Sequence, residues 1–310
     1  MQPRILCIGD AVALRPALRV ATCAGGLVTT APSLDAASLA GTHVLIVHHV
    51  PGQTPAAVDA AIATHPGLRV ILIADPSPPP DLLELLARPW FCHLAGREAP
   101  WFMDELTATL ARVLGRPGAG VAGLLPWGCA VTRVQVTGSA DKQLAFDRIE
   151  GLLNGLGIRG RLVDRLMDVA DEMLMNAIYD APIDRTTGAP LHASRRRASV
   201  QLTPEDQPAF SFGSDGQKLV FGIADPFGGL EAETVRRYIA KGLRRGDDQI
   251  DRKEGGAGLG LFLMFDALNG LHVSVEPGRS TEVIGVMNIR GSMRDAAMTP
   301  KSLNLFSRRR

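Results

Sequence analysis

The chain has 310 residues, of which 46% are hydrophobic and 21% charged, so it can bury a sizeable core and its length suggests two domains. The 33 basic and 32 acidic residues give a formal net charge of +1, which does not favour binding to nucleic acid or to a membrane surface. No apolar run reaches the roughly 18–20 residues that cross a bilayer. The N-terminus has no signal-peptide pattern, and four scattered cysteines form no C-x-x-C pair, so we expect a cytoplasmic protein without a zinc site or a disulfide framework.

The first 115 residues alternate short apolar runs with helical patterns. Runs that are apolar on both faces predict buried strands at Arg4–Ile8, His43–Val47 and Arg69–Ile73. Between and after these runs, helices are predicted at Ala11–Leu18, Pro55–Ala63, Pro80–Ala87 and Trp101–Leu114. This rhythm predicts a doubly wound α/β domain with a parallel sheet over residues 1–115.

The ends of these runs resemble a response-regulator receiver domain. In that family an acidic pair follows strand 1, a phosphoacceptor Asp ends strand 3 and a Lys follows strand 5. Here Asp10 is the one remaining acid, and Val47 or His48 stands at the acceptor position. Gly96 or Arg97 stands where the Lys is expected. The resemblance therefore implies a pseudo-receiver that serves docking or dimerisation, and an unrelated flavodoxin-like domain is the alternative.

A Gly-, Pro- and Ala-rich stretch at 116–126 predicts a linker, and the order of elements changes after it. The following patterns predict strands at Ala130–Thr137, Lys218–Ala224, His272–Glu276 and Thr281–Ile289, helices at Asp141–Leu156 and Arg161–Tyr179, and a polar insertion at Asp184–Gly216. Helices and strands do not alternate strictly, so we predict an α+β domain over 127–292. The tail at 293–310 is expected to be poorly anchored.

Three local patterns in this second region carry possible chemistry. Glu172 and Asn176 are four residues apart and share one helical face, where a carboxylate and an amide can orient a water or hydroxyl and hold a hydrated magnesium ion. Asp225 ends an apolar strand before a Gly-Gly turn, where it can accept a hydrogen bond from the exocyclic amine of adenine. The stretch GGAGLGLFLM (255–264) is a Gly-rich turn that opens a helix, which is either a phosphate cradle or only a tight turn. Each pattern alone is also explained by a solvated face or an ordinary turn.

Taken together and in this order, the three patterns resemble the GHKL ATPase superfamily, which includes histidine kinases and gyrase. Glu172 and Asn176 match its N box, Asp225 and Gly229 its first glycine box, and Gly256, Gly258 and Gly260 its second. The resemblance implies a Bergerat-type ATP-binding sandwich with ATP and Mg²⁺ as cofactors. It implies Glu172 as the catalytic base, Asn176 as the magnesium holder, and the following residues as nucleotide contacts: Asn176, Asp225, Gly229, Gly256, Gly258, Leu259, Gly260 and Thr281.

The basic segment Arg236–Glu254 is predicted as a mobile lid, and the resemblance implies that Arg244, Arg245 or Arg252 stabilises the transferring charge. One departure from the family is Phe227, which stands where the first glycine box has its first Gly. The insertion at 184–216 is a second departure, because it is longer than in the small kinases of this family.

Within the superfamily the chain is most similar to the anti-sigma-factor serine kinases. This implies a bacterial signalling regulator that phosphorylates a Ser or Thr of a partner protein, and a homodimer remains open. A catalytically silent nucleotide switch is the second interpretation. A histidine-kinase-like half that acts on a separate acceptor chain is the third, since no His lies between His93 and His192. The basic run SRRRAS is either a solvated loop or a docking segment with acceptors at Ser194 or Ser199.

Overall fold

The computed structural model describes residues 2–34, 39–192, 199–245 and 259–307. The chain is a mixed α/β protein that divides into two compact units. The first unit consists of Met1–Gly118 with Pro300–Asn304, and the second of Ala119–Thr299 with Leu305–Arg310. No helix within these described ranges has both the length and the apolar character that a membrane span requires.

The first unit contains the predicted parallel sheet. Its strands are β1 (Arg4–Ile8), β2 (Leu27–Ala31), β3 (Val44–His48), β4 (Arg69–Ala74) and β5 (His93–Gly96), in the order β2-β1-β3-β4-β5 and all parallel. Its helices are α1 (Ala11–Cys23), α2 (Thr54–Thr64), α3 (Leu82–Leu86) and α4 (Phe102–Val113). The apolar runs identified β1, β3 and β4 because those strands are buried on both faces. Strand β2 was missed because none of its residues is buried, so it has no apolar run.

The second unit contains an antiparallel sheet. Its strands are β6 (Val131–Gln135), β7 (Ala209–Ser214), β8 (Lys218–Asp225), β9 (Gly270–Glu276) and β10 (Ser280–Asn288), in the order β9-β10-β8-β7-β6. Its helices are α5 (Asp141–Gly155), α6 (Arg161–Met175), α7 (Ala232–Arg245) and α8 (Leu259–Ala267). Helix α6 packs against β8 and helix α8 against β9, so both helices lie next to the strands that frame the predicted nucleotide site.

Three sequence-based expectations for this unit need correction. The predicted linker is partly folded, because Gly120–Leu124 forms a 3-10 turn that buries Val121 and Leu124 within the second unit. The predicted polar insertion contains strand β7. The predicted mobile lid begins as helix α7, in which the spacing of the buried residues Val235 and Ile239 is helical. The rest of that lid, residues 246–254, lies outside the described part of the chain.

The predicted poorly anchored tail is instead ordered over most of its length. Helix α9 (Met293–Met298) begins at Ser292, whose hydroxyl accepts from the Asp295 N–H while the Asp295 carboxylate accepts from the Ser292 N–H. Strand β11 (Ser302–Ser307) pairs antiparallel with β5 through Leu303 and Asn304 and so adds a sixth strand to the sheet of the first unit. The expectation of a poorly anchored tail was wrong because Ser302 and Asn304 interrupt the apolar run in SLNLFS, so the sequence does not show the burial of this strand.

Buried polar groups hold β11 in register. The Ser302 hydroxyl donates to Glu105 Oε2 at 2.9 Å, and His93 Nδ1 lies 3.3 Å from Asn304 Oδ1. All four side chains are nearly inaccessible to solvent. A one-residue slip would break both of these contacts between buried polar atoms, so the polar groups favour one pairing of β11 with β5.

Candidate functional site

The predicted catalytic face lies where helix α6 changes its geometry. The α-helical hydrogen bonding ends at Met175 and continues as a π-helical turn over Asn176–Asp180, in which the Asn176 carbonyl accepts from the Ala181 N–H at 2.8 Å. Glu172 and Asn176 are half-buried and lie on one face, as their spacing predicts. Short π-helical turns are frequent at functional sites because they redirect side chains within a continuous helix.

Glu172 lies against the beginning of helix α8. A Cβ atom added to Gly260 would lie 1.9 Å from Glu172 Oε1 and 2.4 Å from its Cδ, distances that no side chain can occupy. Only glycine at this position lets the Glu172 carboxylate approach the α8 backbone so closely. The structure therefore brings together one residue of the predicted N box and the last glycine of the predicted second glycine box.

A second pair of predicted site residues meets at the end of β8. Asp225 and Thr281 are directly opposite each other on β8 and β10, and both are buried. The Asp225 carboxylate accepts from the Phe227 N–H at 2.9 Å and also from the Gly228 N–H and from the backbone and hydroxyl of Thr281. Burial raises the pKa of Asp225 to about 6, although these hydrogen bonds act in the opposite direction.

The turn after Asp225 depends on Gly228 rather than on the predicted Gly229. Gly228 has a φ of +68°, and a Cβ there would lie 2.2 Å from the Glu276 carbonyl oxygen. Gly229 has no heavy atom within 4 Å of the place where its Cβ would be. Sequence reasoning missed this distinction because both glycines belong to one Gly-Gly pair, and only the backbone conformation separates them.

This difference predicts opposite outcomes for two neighbouring substitutions. Gly228→Ala is expected to destabilise the protein by about 2–3 kcal/mol, because the left-handed backbone is strained and the clash is with rigid main chain. Gly229→Ala is expected to change the unfolding free energy by less than about 0.5 kcal/mol. Urea unfolding of both variants measures this. Equal destabilisation by the two would show that the turn has a different backbone.

Phe227, which departs from the GHKL pattern that the sequence resembles, is buried. Its side chain is 3% exposed, and the Arg185 guanidinium carbon lies 5.5 Å from the ring centroid. Arg185 in turn donates to Asp206 Oδ1 at 2.9 Å. No local signal in the sequence pointed to Arg185, because the contact joins the polar insertion to a strand end far along the chain.

Several predicted site residues lie outside the described part of the chain. These are Gly256, Gly258, Arg252 and Ser194, together with the side chains of Arg245 and Leu259. Arg244 is exposed on helix α7, and Ser199 is exposed just after the undescribed part of the basic run. Of the three glycines in the predicted second glycine box, the described part of the chain therefore includes only Gly260.

Magnesium would need ligands beyond the protein at this site. Among the described residues, no three His, Cys, Asp or Glu side chains are grouped so as to hold a metal ion. Magnesium bound with a nucleotide usually takes only one or two protein oxygens, the rest coming from phosphates and water. The single amide oxygen of Asn176 is compatible with that arrangement.

The predicted pseudo-receiver residues lie at the carboxyl ends of the parallel strands. Asp10 accepts from the Val12 and Ala13 N–H groups at 2.9 Å and so caps helix α1. His48 ends β3, and burial together with the nearby Arg97 lowers its pKa. Arg97 forms ion pairs with Asp75 and Glu98. His48 at the end of β3 cannot supply the carboxylate of a phosphoaspartate cycle.

Comparison with known proteins adds no assignment. No protein-family model matches the chain, and no curated protein is significantly similar to it in sequence.

Proposed function

We propose that the second unit binds ATP with magnesium and acts in signalling as a protein kinase that phosphorylates a Ser or Thr of a partner protein. The observation that carries this proposal is the pairing of predicted site residues distant in sequence. Glu172 lies against Gly260, and Asp225 lies opposite Thr281. These two contacts between predicted site residues support the proposal that the residues act together.

Each of these residues has a role that suits its surroundings. When ionised, Asp225 accepts a hydrogen bond from the exocyclic amine of adenine, and Thr281 fixes the orientation of its carboxylate. Asn176 offers an amide oxygen to magnesium, and Glu172 accepts the proton of the attacking hydroxyl. ATP supplies the transferable phosphoryl group, and magnesium offsets the charge on its phosphates.

We further propose a Bergerat-type sandwich for the second unit and a pseudo-receiver for the first. The strand order β2-β1-β3-β4-β5 supports the latter, since it is the order of flavodoxin-like and receiver domains. Because β3 ends in His48 rather than Asp, the role proposed for the first unit is docking of a signalling partner or dimerisation.

A catalytically silent switch is the second candidate function, and Phe227 is the observation that favours it. A buried aromatic side chain at the position of a family glycine changes the turn beside the adenine site. Such a protein would bind ATP or ADP and change its affinity for a partner without phosphoryl transfer. A histidine-kinase-like half acting on a separate chain remains the third candidate.

Calorimetric titration with ATP, in the presence and absence of magnesium, tests the proposal. The wild type is expected to bind in a magnesium-dependent manner, and Asn176→Ala is expected to lose about tenfold or more in affinity through the magnesium contact. Asn154→Ala is the matched control, because Asn154 is an exposed asparagine near the end of helix α5. Absence of wild-type binding to ATP and ADP at millimolar concentration would refute nucleotide binding.

A further inference from the structure

Backbone hydrogen bonds close the loop that follows the π-helical turn. Residues 182–191 form a closed loop in which the Leu191 N–H donates to the Pro182 carbonyl at 3.0 Å and the Asp184 N–H to the Ala189 carbonyl at 2.9 Å. The Asp184 carboxylate accepts from the Thr186 and Thr187 N–H groups, at 2.8 and 3.0 Å. Arg185 therefore projects from a fixed loop, although it belongs to the insertion predicted as merely polar.

Two contacts hold the guanidinium group of Arg185. Its guanidinium donates to Asp206 Oδ1 at 2.9 Å and lies over the ring of Phe227. Asp206 is fixed in turn, because its other carboxylate oxygen accepts from the Thr203 hydroxyl at 2.9 Å. An exposed arginine without such anchoring would gain little from lying over an aromatic ring.

The contact continues from Phe227 to the carboxylate that is proposed to read the base. The Phe227 N–H donates to Asp225 Oδ1, and the ring of the same residue lies under Arg185. Phe227 therefore contacts Arg185 through its ring and Asp225 through its main-chain N–H. This chain of contacts links the loop at 182–191 to the carboxylate that is proposed to read the base.

Resting on the proposed function, we infer that Arg185 is a positioning residue for nucleobase recognition: it acts through Phe227 to orient Asp225 toward the exocyclic amine of adenine. It does not contact phosphate. Arg185 and Asp206, which belong to the insertion that departs from the family pattern, thereby contribute to selectivity for adenine over bases that lack this amine.

The test is the affinity of Arg185→Ala for adenosine, ADP and ATP, measured by calorimetry on the full chain. The loss is expected to be about tenfold and equal for all three ligands, because the affected group reads the base. Binding of inosine, which lacks the amine, is expected to change by less than about twofold, because Asp225 has no amine to accept from. Asp206→Asn, which releases the guanidinium, is expected to show the same pattern more weakly.

Arg133→Ala is the control, because Arg133 is an exposed arginine on the edge strand β6 and belongs to none of the predicted site segments. It should leave all four affinities unchanged. A loss for Arg185→Ala confined to ADP and ATP would mean a phosphate contact and would overturn the inference, as would unchanged affinities. If the wild type binds none of the nucleotides, the proposed function fails, and the inference fails with it.

Discussion

Gly260→Ala is expected to reduce phosphoryl transfer about 100-fold or more without unfolding the protein. The new methyl group would overlap the Glu172 carboxylate, whose Oε1 lies 1.9 Å from the added Cβ. Because the overlapped atoms belong to the end of a flexible side chain, Glu172 is expected to rotate away while the helices keep their places. Removal of a general base from its working position typically costs 10²–10⁴-fold in rate. ADP release with magnesium-ATP measures the effect.

Stability and activity should therefore separate in this variant. Alanine is favoured over glycine in helices by up to about 1 kcal/mol, so the melting temperature should change little or rise. Gly151→Ala in helix α5 is the matched control, since no heavy atom lies within 4 Å of its added Cβ. It should stabilise the protein similarly and leave turnover unchanged.

The double variant Glu172→Ala with Gly260→Ala tests whether displacement of Glu172 causes the loss of phosphoryl transfer in Gly260→Ala. If displacement of Glu172 explains the lost activity, then Gly260→Ala has no further effect on turnover once Glu172 is truncated. Independent, multiplying losses would place the role of Gly260 elsewhere. Wild-type turnover in Gly260→Ala would exclude Glu172 as the base, and a wild type that binds ATP without turnover would identify the silent switch.

Nucleotide affinity is expected to fall as the pH is lowered from about 7.5 to about 5. The pKa of Asp225 is raised to about 6 by burial, so the carboxylate that accepts from adenine becomes protonated within this window. At about pH 5 roughly nine-tenths of the free protein carries that proton, which predicts about a tenfold weaker binding. Asp225→Asn should bind about 10- to 100-fold more weakly at pH 7.5 and lose this pH dependence.

The same group is expected to affect stability with the opposite sign. Because the folded-state pKa lies above the ordinary Asp value of 3.8, the contribution of Asp225 to stability is fully present below about pH 4 and is lost as the pH rises through about 6. Relative to Asp225→Asn, the wild type should therefore gain about 1.4 kcal/mol between about pH 7.5 and pH 5. Urea unfolding of both proteins at the two pH values measures this difference.

Asp215→Asn is the control for both measurements. Asp215 lies in the turn before β8, where burial raises its pKa but hydrogen bonds from the Lys218 and Gln217 N–H groups lower it overall. Its stability contribution is therefore lost as the pH falls, which is opposite in sign to that of Asp225. A wild type whose ATP affinity is flat across the window would show that Asp225 stays ionised or does not read the base.

The sequence predicted the elements whose burial pattern is complete within the element itself. Strands β1, β3, β4 and β8 are continuous apolar runs, and helix α5 has regular spacing, so each was found to within a few residues. Strand β11 was missed because its buried polar residues depend on partners such as Glu105 that the local sequence does not reveal. Tertiary pairing decides such segments.

The site residues also divide into those that the local sequence predicts and those that depend on tertiary structure. The spacing of Glu172 and Asn176 is a local property and placed both on one face of helix α6. The importance of Gly228 over Gly229 depends on a single dihedral angle, and the contact of Arg185 with Phe227 depends on how a long insertion returns to the sheet. Neither is encoded in a short window of sequence.

Strand β11 also bears on how the protein is made. The first unit consists almost entirely of residues 1–118, yet the strand that pairs with β5 comes after residues 119–299 of the second unit. During synthesis the N-terminal unit leaves the ribosome first. The edge of β5 that pairs with β11 stays unpaired with that strand until β11 has been synthesised. A stop codon before Ser302 would therefore destabilise the part of the protein that is translated earliest, because Glu105 and His93 would lose their contacts with Ser302 and Asn304.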